Sequence, residues 1–309
     1  MQPNTSLLPP HTSLGGILGV ARAPFLPLAV LLALGGGLAQ GIGALDPARL
    51  LLGVIGLVAA HVLVNVLNEL ADDASGLDRE TERTPFSGGS GALQNGLITR
   101  QGAWGVAFVS GAVALAVAAV ALGVYREWRL LPVLAVGAVC IVLYTPWLLR
   151  IGLGEVAAGL GLGGLPVIGA ALLQGGDLRP AVSLVAIAAT AMTFNLLLFN
   201  TIPDAGPDRM AGRRSLVHRV GVLGTARIGV AAWGVATLAI GYGLLTGALP
   251  AWAWLAAIPA IAFIVPVGRW TLAGAPLPVP MPVLGANVVH NLATHATLIV
   301  AWLLRACEI

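Results

Sequence analysis

Apolar runs of about 20 residues recur along this chain, separated by short polar segments. The pattern predicts nine spans, at roughly 24–43, 50–71, 102–123, 130–149, 153–174, 181–202, 225–247, 250–269 and 284–305. Each is long enough to cross a bilayer as a helix. The expected fold is therefore all-α, a bundle of nine transmembrane helices in one domain covering residues 1–309, with residues 1–15 as a flexible tail. Two connections are longer than the rest, 72–101 and 203–224. Both follow even-numbered spans, so both face the same side of the membrane.

Composition agrees with this. The chain is 58% hydrophobic and 9% charged, against roughly 25% charged in soluble domains. No cleavable leader is expected, because the segment up to Gly19 is polar and lacks a basic start. Aromatic residues are few, so a stacking surface for nucleic acid is not expected. Cys140 and Cys307 stand far apart in apolar surroundings and form neither a disulfide framework nor a metal-type spacing.

All 16 basic residues are Arg. With the N-terminus inside, 11 of them fall on the side of the two long connections. The positive-inside rule then places the N-terminus and both connections in the cytosol.

Charge is also concentrated in sequence. Eight of the 13 acidic residues lie between Glu69 and Glu82 or at Asp204 and Asp208. The first stretch runs Asn65-Val-Leu-Asn68-Glu69-Leu-Ala-Asp72-Asp73, with Asp78 and Arg79 beyond. The second is Asn200-Thr-Ile-Pro203-Asp204-Ala-Gly-Pro207-Asp208-Arg209, followed by Arg213 and Arg214. Asn65, Asn68 and Asp72 share one helix face by spacing, as do Asn200, Asp204 and Asp208. Pro203 and Pro207 are expected to interrupt the second helix near its end. The pattern of Asn, Asp four positions on, a further Asp and then Arg occurs in both, which points to an internal duplication.

Either stretch alone reads as solvated surface with weak ion pairs. Two of them, each with Asn one turn before Asp inside a span end, read instead as a site, because polar groups within a membrane are costly. Hard oxygen ligands suit a divalent metal, and clustered carboxylates need a cation to offset their repulsion. Arg79, Arg83, Arg209, Arg213 and Arg214 could grip phosphate oxygens. The combination reads as a metal–diphosphate cradle at the mouth of an apolar bundle.

At these residues the chain resembles the UbiA superfamily of intramembrane prenyltransferases. Asn68-Glu69-x-x-Asp72-x-x-x-Gly76-x-Asp78 is similar to its first aspartate-rich motif. Asp204-x-x-x-Asp208-Arg209-x-x-Gly212-Arg213-Arg214-Ser215-Leu216 is similar to its second. Tyr144-Thr145-Pro146 and Gly152-Leu-Gly154-Glu155 resemble the 1,4-dihydroxy-2-naphthoate prenyltransferase-like branch, and the segment from Arg83 to Gly91 resembles the loop that follows the first motif. Glu69 departs from the usual Asp, and Leu148 stands where other branches carry Lys.

The resemblance implies a polyprenyl diphosphate donor, an aromatic acceptor of the 1,4-dihydroxy-2-naphthoate type and a menaquinone-like pathway. It also implies Mg²⁺, with Mn²⁺ as a substitute, and residence in a prokaryotic inner or plasma membrane. The implied metal ligands are Asn68, Asp72, Asp78, Asn200, Asp204 and Asp208. Asp72 and Asp204 are the implied centres of catalysis. Tyr144 is placed in the reaction cavity. Glu155 either acts on the acceptor hydroxyl or caps the fifth span.

Of the histidines, His61 lies one turn before Asn65 and could share its cavity. His218 is expected to be solvated, and His290 and His295 to make polar contacts inside the bundle. The Gly159–Gly164 run lacks a phosphate-loop Lys and reads as close helix packing. A membrane terpene cyclase of the same superfamily and a transporter are the alternative readings.

Overall fold

In the computed structural model, which describes residues 12–77 and 88–308, every predicted span is helical. No strand occurs among the described residues. Among the described residues, seven helices are individually long and apolar enough to cross a membrane, and two bent pairs, each taken as one span, bring the number up to nine.

The first bent pair is α1 (Leu14–Val20) and α2 (Leu26–Leu38), joined through a short turn at an angle of 54°. Ser13 caps α1, its Oγ accepting from Gly16 N–H at 3.0 Å. The bend centres on Arg22, a non-glycine residue at φ 51°, followed by Pro24. Neither can continue an α-helix.

Helix α3 (Pro47–Ser75) starts on the Asp46 cap with Pro47 in its first turn and stops where Gly76 takes φ 77°. It packs along α4 (Arg100–Gly123), which Thr99 caps. Trp104, Phe108 and Leu115 on α4 are exposed, as on a lipid-facing helix.

The second bent pair turns by 63° between α5 (Leu131–Val142) and a π-helical turn at Tyr144–Leu148. Such turns re-aim side chains and concentrate at functional sites. Helix α6 (Gly154–Leu173) then crosses against the central helix α7 (Pro180–Met210). Its glycines permit the approach, since a Cβ on Gly159 would lie 2.9 Å from Thr190 O. Between helices in lipid, such close packing supplies the attraction that hydrophobicity supplies in water.

Helices α8 (Leu216–Leu245), α9 (Ala251–Leu272) and α10 (Met281–Cys307) complete the bundle. α10 packs on α2, α7 and α9, so the last span meets the first. Phe199 of α7 sits edge-to-face on Phe263 of α9 at 6.0 Å in the core between them.

The structure corrects the expected end of the sixth span. α7 continues through Pro203 and Pro207 to Met210, so no loop runs from 203 to 224 and only residues 211–215 separate it from α8. Proline is tolerated inside membrane helices when the surroundings satisfy the freed carbonyls. Likewise α3 reaches Ser75. Both acidic motifs therefore ride on helix ends, as far as the described residues extend, and both ends lie on the same side of the bundle.

Candidate active site

A cavity opens between these two helix ends. Asn65, Asn68 and Asp72 line it from α3, and Asn200, Thr201, Asp204 and Asp208 from α7. Thus the two predicted helix faces converge on one space. Deeper in, the wall is made by Leu28, Val64, Ile141, Leu162, Leu196 and Leu197. The space is polar at its mouth and, beside His61, Tyr144 and Thr193, mostly apolar further in.

A chain of hydrogen bonds orders the mouth. Thr145 Oγ1, presented by the π-helical turn, donates to Asn68 Oδ1 at 3.1 Å. Asn68 Nδ2 donates to Asp72 Oδ2 at 2.9 Å. Arg213 donates to Asp72 through Nη2 and to Asp208 Oδ1 through Nη1, the latter at 3.3 Å. Burial works against the charged Arg213, but the two carboxylates outweigh it and hold its pKa above the ordinary arginine value. Gly88 N–H donates to Asp204 Oδ2 at 3.2 Å, tying the segment after the first motif to the second motif.

Arg22 lines the same cavity, a residue to which the sequence reading gave no role. Its Nε donates to Glu69 Oε1 at 3.1 Å. Glu69 is 1% exposed and does not border the cavity. It also accepts from Ser90 N–H at 2.9 Å and Ser90 Oγ at 2.8 Å. One buried carboxylate thus fixes both an arginine of the cavity and the chain beyond the first motif. Arg22 precedes the first predicted span at 24–43, so no local signal marked it.

The other expected residues divide. Tyr144 and His61 line the cavity. Asp78, Arg79 and Arg83 lie outside the described residues. Arg209 and Arg214 are exposed and do not border the cavity. Glu155 does not border it either; its buried carboxylate accepts from Leu216 N–H at 2.7 Å and caps α8, not its own helix. Asp73 pairs with Arg100 at 2.8 Å.

His218 is not solvated. Its Nδ1 accepts from Ser215 N–H at 3.0 Å and its Nε2 lies 2.7 Å from Ala205 O, an arrangement that caps α8 and braces the end of α7. His290 and His295 sit buried away from the cavity, and His290 stacks on Phe263 at 4.9 Å.

The chemistry of the donor set suits a hard divalent cation. Every first-choice ligand offers oxygen, and Asn200 Oδ1 is buried with no hydrogen-bond partner among the described residues. No cluster of three acidic, His or Cys side chains stands ready as an ion cage among the described residues. Arg213 and a cation would compete for the same carboxylates of Asp72 and Asp208.

Comparison with known proteins follows the same line. Residues 29–277 match the UbiA prenyltransferase family, and the chain belongs to it. It is an integral membrane prenyltransferase. Over 218 residues it is 30% identical to the 1,4-dihydroxy-2-naphthoate octaprenyltransferase of Escherichia coli K12, covering 67% of this chain and 68% of that protein. Its fold is similar to a UbiA homologue from Aeropyrum pernix K1, with a TM-score of 0.70 and 20% identity over 92% of this chain and 98% of that one. It is also similar to a UbiA homologue from Archaeoglobus fulgidus bound to GPP and Mg²⁺. There the TM-score is 0.62 and the identity 14%, over 92% and 99% of the two chains.

Proposed function

We propose that this prenyltransferase moves a polyprenyl group from its diphosphate to an aromatic acceptor of the 1,4-dihydroxy-2-naphthoate type, in menaquinone-like quinone biosynthesis. One observation carries the reading: both motifs and two arginines face a single cavity that is polar at the mouth and mostly apolar further in. The activity named for the Escherichia coli relative supports the acceptor. The homologues from Archaeoglobus fulgidus bound to GPP or DMAPP with Mg²⁺ support the donor class and the cofactor.

Asn68, Asp72, Asp78, Asn200, Asp204 and Asp208 would hold Mg²⁺, or Mn²⁺ in its place. When bound, the cation neutralises charge on the departing diphosphate. Arg22 and Arg213, with Arg79 and Arg83, grip phosphate oxygens. Thr145 fixes the amide of Asn68, and Glu69 fixes Arg22, so neither group must be ordered at the moment of reaction. The allylic C–O bond breaks and its electron pair leaves with the diphosphate. Leu28, Leu162, Leu196 and Leu197 keep water from the allylic cation. A ring carbon of the acceptor then forms the new C–C bond and loses its proton. Tyr144 stands in the cavity wall where the acceptor ring would lie against it. The motif end of the bundle and the N-terminus would face the cytosol of a prokaryotic inner or plasma membrane, an orientation that the arginine distribution supports.

The test is mass spectrometry of lipid-soluble products after purified protein receives several prenyl diphosphates, with and without aromatic acceptors. Prenylated acceptor, formed only when both substrates are present, supports the reading. A cyclised hydrocarbon formed without acceptor would replace it by terpene cyclisation.

A further inference from the structure

A second pocket lies at the opposite end of the bundle. It is bounded by the turn after α2, the start of α7, the end of α8 and the end of α10. Arg179, Arg305 and Trp302 line it, together with Ile42 and the backbone of Gly41 and Gly43. It shares no residue with the active-site cavity.

The charge at this end is unevenly balanced. Arg49 pairs with Glu127 at 2.8 Å, and Arg129 pairs with Asp177 at 2.7 Å. Arg179 and Arg305 have no carboxylate partner among the described residues, and both border this pocket. Arg179 spends one N–H on Gln40 O at 2.8 Å, and Arg305 stands 5.9 Å from the Trp302 ring. Glu308, the acid nearest to Arg305 in sequence, accepts instead from Trp252 Nε1 at 2.6 Å.

Trp302 supplies an independent sign. It is 8% exposed, and its indole Nε1 is buried without a hydrogen-bond partner among the described residues. Indole N–H is a donor only and ordinarily finds an acceptor when buried. Two guanidinium groups therefore border a space whose lining holds no carboxylate among the described residues, and the Trp302 ring, its N–H unpartnered, forms part of the wall.

We propose that this pocket binds the phosphate of an anionic phospholipid. Its position favours a lipid over a free anion. The pocket lies level with the ends of membrane-crossing helices, where headgroups sit, and Trp252 and Trp254 stand at the same level in the manner of an interfacial aromatic belt. Ile42 in the lining is exposed, as are Leu245 and Leu303, close in sequence to the lining residues Gly247 and Trp302, and such apolar surface suits acyl chains. Guanidinium forks suit phosphate oxygens. A lipid held there would join the end of α2 to the end of α10, fastening the first helix to the last on the face away from the chemistry.

The test is native mass spectrometry of the purified protein titrated with phosphatidylglycerol, phosphatidylcholine and inorganic phosphate. The wild type should retain phosphatidylglycerol with at least about tenfold preference over phosphatidylcholine, the effect of one or two charge-assisted hydrogen bonds. R179Q/R305Q should lose that preference. W302F, which keeps the ring and removes the N–H, should lose part of it. R126Q, altered at the same end but outside the pocket, should keep it. If the double variant does not fold, R305Q and W302F decide the question in the same way. An absent preference in the wild type, or one that survives these substitutions, overturns the proposal. Displacement of the lipid by an equal concentration of inorganic phosphate would make the pocket an anion site and overturn the lipid assignment.

Discussion

Asp72 and Asp208 share one guanidinium, that of Arg213, although they come from different helices and different motifs. The bridge brings together carboxylates that would otherwise repel, and it places a guanidinium group in the lining of the cavity. It also separates the effect of each acid on stability from its effect on catalysis.

Asp72→Ala should lower turnover at least about 10²-fold, since it removes a carboxylate proposed to hold the Mg²⁺. Its melting temperature should change little, because Asp208 still neutralises Arg213. The double variant Asp72→Asn/Asp208→Asn leaves Arg213 buried without either carboxylate and should be clearly less stable than the single variants. Thermal unfolding in detergent, read beside turnover, checks both. Equal stability of the double and single variants would count against the bridge.

Glu69→Gln tests a residue that never touches the cavity. Releasing Arg22 and Ser90 should raise the KM for the prenyl diphosphate about tenfold, the effect of one charge-assisted hydrogen bond, while the KM for the acceptor holds. Glu69→Asp, which keeps the charge on a shorter arm, should recover part of the loss. Steady-state kinetics with each substrate varied in turn gives the answer; a loss confined to the acceptor would contradict the assigned role.

Thr145→Ala should lower kcat by roughly tenfold with the fold intact, because the Asn68 amide loses the partner that orients it. Thr145→Ser keeps the hydroxyl and should retain most activity. If the alanine and serine variants behave alike, the hydrogen bond does not matter to catalysis.

The topology can be read by cysteine labelling in a background lacking Cys140 and Cys307. Asn95 and Arg209 are exposed at the motif end, and the Asp177 side chain is 92% exposed at the other. Cysteines at Asn95 and Arg209 should resist an impermeant maleimide in intact cells, and one at Asp177 should react. The reverse pattern would invert the orientation. Labelling of Asn95 and Arg209 from opposite sides would separate the two motifs.

The spans were legible because each carries its own evidence, a run of apolar residues as long as a bilayer is thick. The faces of Asn65, Asn68 and Asp72 and of Asn200, Asp204 and Asp208 were legible for a similar reason, since helical spacing is local. What escaped depended on residues far apart in sequence. Pro203 and Pro207 end a helix by local rule, yet α7 runs through them where it is packed among its neighbours. Glu155 suggested a cap for its own helix and serves α8, because Leu216 comes to it only in the folded bundle. Arg22 showed no role until the bend at its left-handed backbone put it beside Glu69 and into the cavity.

The central claim is that both motifs hold one donor diphosphate. It is tested most directly by the binding of a non-ionisable prenyl thiolodiphosphate to wild type, Asp72→Asn and Asp204→Asn, each with Mg²⁺ and with EDTA. Tight binding should appear only in the wild type with Mg²⁺, and either substitution should weaken it by at least about tenfold. Full affinity in EDTA, or in a variant lacking either aspartate, would contradict a shared site.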